Sequence, residues 1–267
     1  DNQIGQGDSC GNRDITPNTS AGTNLSNTNQ ARLNQTQDPR YNSILVNLRP
    51  MVERDLQNGQ LQPQTIMAIN EAMTLIATKP YGESVVRNRK ERRPLRTTDI
   101  AAYSNIVEQG TYEIERVIND CLTKTLSDLG CTMEIYETSN EIIAMQNPQF
   151  AFMSLLIIEK MKSSIKSDRN LSLLTPQKAK DMLKFQIEKY PTINIQVQNP
   201  QLLPLVKQSY LGDMTFEEFG FEEEDFSNLR ELAQDQEFKS LAMQLQQVVQ
   251  ADAMSAMGGG MGGPGLF

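Results

Sequence analysis

Residues 98–129, TDIAAYSNIVEQGTYEIERVINDCLTKTLSDL, decide the fold. Ile100, Tyr103, Val107, Ile114, Val117, Ile118, Cys121, Leu122, Thr125 and Leu129 recur at steps of three and four, which sets them on one side of a helix. Thr98 or Asp99 can cap its start, Gly130 can end it, and Gly110 is the weak point inside. The steps drift and the stripe continues at Leu126, so the covered face is wider than a two-stranded seam. The spacing predicts a long central helix wrapped by its own chain.

Immediately upstream, residues 85–98 read VVRNRKERRPLRTT, and Pro94 interrupts any helix there. We expect 81–97 to be a basic loop, with Arg87, Arg89, Lys90, Arg92, Arg93 and Arg96 as candidates for binding phosphate or an acidic partner surface. The plainer alternative is a loop that pairs with the chain's own acidic segment. No aromatic residue is interleaved with the cations, which weakens the case for stacking on single strands. Positive charge at the entrance to the central helix also opposes that helix's dipole, a conflict that an anionic partner would relieve.

Farther upstream, Ile44, Leu45, Leu48, Val52 and Leu56 suggest a short helix that Pro50 breaks or restarts. Pro63 opens a second helix through Ile66, Met67, Ile69, Ala72, Met73 and Ile76, which Lys79-Pro80 ends. Residues 43–80 therefore read as a helical pair. Residues 1–42 are dominated by Asn, Gln, Ser, Thr, Gly and Asp without apolar period, and we expect a disordered polar arm. The sequons at Asn18, Asn24 and Asn34 are what such a composition yields by chance.

Downstream, residues 98–212 read as a helical core with short strands. The alternation at 133–137 and the TINIQV stretch at 192–197 are the strand candidates, as a pair or as an edge for another chain. Pro148 starts the most apolar helix, from Phe150 to Met161, expected to pack centrally on residues 98–129. Thr175-Pro176 caps a further helix that Tyr190-Pro191 ends, and a short Pro-interrupted helix covers 201–210.

Residues 213–257 form an acidic-aromatic segment followed by a C-terminal helix. Between 213 and 237 stand ten acidic residues and one arginine, a local −9 within a chain of net −8. Phe216, Phe219, Phe221 and Phe226 lie among those acids, either as partner-docking residues or as anchors folded back on the core. GGGMGGPGLF at 258–267 reads as a flexible Gly/Met tail.

The missing residues matter as much. There is no histidine, which removes Ser-His-Asp and Cys-His catalysis and His-ligated zinc. Cys10, Cys121 and Cys131 have neither disulfide-framework nor zinc-ribbon spacing, so reduced thiols and a reducing compartment are expected. No phosphate-binding loop is present, and no apolar run reaches eighteen residues. An enzyme would have to work through carboxylates or through a Cys131 of lowered pKa.

The chain thus reads as mainly α, an irregular helical bundle around a long central helix, with at most one small β-pair and disordered ends. The expected function is non-enzymatic and structural or adaptor in kind, with no cofactor or metal. Other protein subunits, identical or different, are its expected partners, in a virion or other particle. Assembly would run through the terminal arms and through the opposed charges at 87–96 and 213–237, which would join neighbouring copies head to tail. The alternative is a nucleic-acid-associated protein that uses 87–96 on the phosphate backbone.

Overall fold

A computed structural model describes residues 38–165, 169–197 and 199–258. The expectations for the polar arm over 1–37 and for the tail over 259–267 lie outside the described residues.

The central helix forms as its period demands: it spans Ile100–Leu129 (α3 below). The Asp99 side chain accepts from the Ala102 amide at 2.9 Å, and Gly130, at φ +70°, closes the far end by donating to the carbonyls of Leu126 and Ser127. Tyr103, Val107, Val117, Cys121, Thr125, Leu126 and Leu129 are buried along it. Before it come α1 (Pro39–Gln57) and α2 (Pro63–Arg92); after it come α4 (Met133–Gln146), α5 (Pro148–Ser163), α6 (Pro176–Lys189), α7 (Leu203–Phe219) and α8 (Gln236–Gly258). Short 3-10 turns link several of these, and the described residues hold no strand. The fold is mainly α.

The chief partner of α3 is α2, which is as long. Gly110 faces α2: a Cβ there would collide with the side-chain amide of Asn88. That amide donates to the Ile106 carbonyl at 2.6 Å. The glycine that looks like a defect in the helix is what makes room for the Asn88 side chain.

Several expectations are corrected. Residues 81–92 are helix, not loop, because α2 runs straight through Pro80. Proline costs about 3 kcal/mol inside a helix, but Tyr81, Ser84 and Asn88 continue the buried face past it, and that packing prevails. Pro50 is likewise carried inside α1. Arg89, Lys90 and Arg92 therefore stand in the last turn of α2, where they complement that helix's dipole.

The expected arm also yields its last residues to the body. Asp38 caps α1 by accepting from the Arg40 amide at 2.9 Å, and Tyr41 is fully buried, its hydroxyl donating to Asp128 at 2.8 Å. At the other end of α1, buried Asp55 accepts from the Gln62 amide at 2.9 Å and the Thr65 hydroxyl at 2.5 Å, fixing the turn into α2.

Neither strand forms. Residues 133–137 lie in α4, whose buried Tyr136, Ser139 and Ile143 follow helical spacing that five alternating residues could not reveal. In the 192–197 stretch the alternation is real: Ile193 and Ile195 are buried, but against Tyr103, Val107, Tyr190, Val206 and Leu211 of helices and turns. Finally, α5 packs on α2 and α4 rather than on α3. Phe150 and Met161 are buried while Leu156 stands 51% exposed, so this most apolar helix flanks the bundle and keeps one side in solvent.

Candidate functional site

Two features of the surface carry chemistry, a closed one built from charge and an open one built from apolar groups. The closed one begins with the cations of 87–96. Arg89 and Arg92 project from the last turn of α2, Arg93 from the 3-10 turn Arg93–Leu95, and Arg96 from the residue after it. Arg92 forms a two-pronged pair with Asp213, at 2.7 and 3.1 Å. Arg93 donates to the same carboxylate at 2.9 Å and also reaches Glu222. Arg89 holds Glu224, one of its two bonds being 3.0 Å, and Arg96 pairs with Glu217. Arg169 joins the cluster from the opposite side through Asp225, at 2.8 and 3.0 Å. The Tyr103 hydroxyl, from the first turn of the central helix, donates to Asp213 at 2.8 Å.

These groups are inside the protein: the side chain of Asp213 is 1% exposed and those of Glu222 and Glu224 are 4% and 5%. Burial alone would raise the pKa of Asp213. The hydrogen bonds and charge of Arg92, with those of Tyr103 and Arg93, outweigh it and hold the carboxyl below the ordinary 3.8. Burial works against the charge on Arg89 too, and the carboxylates of Glu224 and Glu222 overcome it, leaving its pKa raised. No buried side-chain polar atom among the described residues lacks a hydrogen-bond partner. Asp235 and Glu237, farther along the acidic stretch, are taken by Lys180 and Lys184.

Within the chain the opposed charges pair with each other: partners 120 and 121 positions apart meet because α7 lies beside α3 and the end of α2. Of the six candidates, Arg87 reaches Glu113 of α3 instead, and Lys90 is exposed.

The four phenylalanines fold back as well. The Arg93 guanidinium lies 3.7 Å from the Phe216 ring centre, with that of Arg169 at 5.7 Å. Phe219 meets Phe185 edge to face at 5.5 Å, and Phe226 meets Phe238 at 5.7 Å. Phe221 is buried with Leu174 and Met182. Reading the sequence alone misses Tyr103, Arg169 and Asn88, whose Oδ1 accepts from Arg92 at 2.7 Å, as members of this site. Arg169 stands outside the basic run, and Tyr103 reads as an ordinary core position.

The open feature is a groove of about 510 Å³ between α2 and α5. Met67, Ala68, Phe150, Leu156 and Ile157 supply its apolar lining, and Gln64, Glu71 and Lys160 its polar edge. Met67 is 41% exposed and Leu156 51%. Its floor is held by Asn70, which accepts from the Tyr136 hydroxyl at 2.7 Å.

Neither Cys121 nor Cys131 is activated. Burial pushes the Cys121 thiol up to about 12, and burial raises Cys131 against the lowering effect of a backbone hydrogen bond at Thr132. Among the described residues, no group of three or more Asp, Glu or Cys is arranged to hold a metal ion. None of their helices is long and apolar enough to cross a membrane.

Fold and site together define an all-α protein whose charged segments close on each other and whose apolar groove stays open. Compared with known proteins, the chain matches no family model, no curated protein and no solved structure.

Proposed function

We propose that this chain is a non-enzymatic structural or adaptor subunit that assembles into a larger complex, a virion or other particle being one such setting. The observation that carries the reading is the α2–α5 groove. Its size falls in the range of specific binding clefts, roughly 300–1,000 Å³, and its walls are two helices with exposed apolar side chains. That geometry suits the apolar face of an amphipathic helix from another subunit. Glu71 and Lys160 at the edge would fix its direction. The arginines and the phenylalanines are already engaged within the chain, so the groove is the better-supported docking surface.

A photo-crosslinking amino acid at position 67 tests this in the full chain, both purified and in an extract of the cells that make it. A discrete crosslinked product that disappears on Leu156→Glu is the expected result. A chain that stays monomeric at every concentration and crosslinks to nothing would contradict the assembly reading.

A further inference from the structure

Ile193 and Asn199 both have extended backbone, and from Ile193 to Val197 the side chains alternate as those of a strand do. Ile193 and Ile195 are buried, Asn194 and Gln196 are exposed, and Val197 packs beside the isoleucines on the cluster around Tyr103. What this stretch lacks is a neighbouring strand. No described residue shares a hydrogen bond with the backbone of Asn194, Ile195, Gln196 or Val197. Backbone N–H and C=O groups are obligatory hydrogen-bonding groups, and a row of them left open on a packed base is a template for another extended chain.

The sequence adds two features. Natural sheet edges are blunted with charge, yet no charged residue stands between Lys189 and Lys207. Pro191 and Pro200, which have no N–H to donate, bound the stretch and keep it short. Between them Ile193-Asn194-Ile195-Gln196-Val197 runs apolar, amide, apolar, amide, apolar, a pattern that is the same from either end.

We propose that residues 193–197 are a pairing edge for the same residues of a second copy, joined antiparallel about a two-fold axis at Ile195. A two-fold operation sets like against like in a pattern of this symmetry. Ile193 lies opposite the second copy's Val197, which continues the apolar face across the axis, and Asn194 lies opposite the second copy's Gln196, amide to amide with no charge to repel. Each strand is already packed on its own helices, a support that an isolated two-stranded pair lacks. Five residues a side fall well short of the roughly 20–30 of a standard interface, so the pair is weak and suits an assembly with further contacts. This inference does not depend on the groove.

The test is sedimentation of the full chain in two like-charged forms, Asn194→Lys/Gln196→Lys and Asn194→Glu/Gln196→Glu. Both positions are exposed, so the fold should hold. Wild type should dimerise as concentration rises. Each variant alone sets like charges opposite one another and should dimerise at least about tenfold more weakly, and an equimolar mixture of the two should recover the dimer. The same pattern is expected in chains that also carry Leu156→Glu, which keeps the result apart from the groove. On the unmodified chain, amide exchange resolved by residue should slow with concentration at every second position of 194–197, as one edge of a ladder requires. Monomeric wild type, association that both variants keep, or exchange over 194–197 that ignores concentration would each overturn the inference.

Discussion

The clasp between α2 and the acidic stretch and the groove between α2 and α5 lie on the same helix and have opposite fates. The clasp gathers charged residues and pairs them, with Asp213, Glu222 and Asp225 buried against arginines. The groove gathers apolar residues and leaves Met67 and Leu156 substantially exposed. Charge here specifies how the chain closes on itself. The apolar surface that closure leaves uncovered is the docking surface proposed above.

The difference is sharpest in stability. Asp213→Ala strips Arg92, Arg93 and the Tyr103 hydroxyl of their common acceptor. Breaking a buried pair from one side costs about 3–5 kcal/mol, to be read as a lowered urea midpoint. Acid should reach the same group without mutation. The folded pKa of Asp213 lies below the ordinary 3.8, so its stabilisation is complete above that value and is lost as pH falls through the folded one. Buried Asp55 is also lowered: burial raises it, but the bonds from Thr65, Gln62 and Arg54 prevail, so it adds to the same acid limb. Urea midpoints level through neutral pH and falling below about pH 4 are expected.

Gly110→Ala should cost less, about 1–3 kcal/mol for an overpacked site, because its Cβ meets the Asn88 amide. Pairing it with Asn88→Ala should recover part of the loss, and full additivity of the two would remove Gly110 from the α2–α3 contact. The smallest effect is expected in the groove. Leu156→Ser should change stability by no more than about 0.5 kcal/mol, as surface substitutions do, while weakening association. A large loss there would make the groove part of the core.

Periodicity made the central helix and both of its ends legible, down to Asp99 and Gly130, because helix period and capping are local. It failed where long-range packing overrules a local signal. Pro80 reads as a stop, yet the buried face of Tyr81, Ser84 and Asn88 carries α2 past it. Ile193 and Ile195 alternate as in a strand, but helices supply the cover. The clasp was legible only as two opposed charge runs. Their pairing depends on how α7 lies beside α3, which neither run encodes, and the open groove follows from α5 settling on α2 and α4.

Sedimentation of the full chain across salt concentration tests the account most directly, since apolar and ionic contacts respond in opposite ways. Association through the groove should persist or tighten in high sulfate and vanish with Leu156→Glu. Association that dissolves as salt rises and ignores Leu156→Glu would put the charged segments back at the interface and contradict the account.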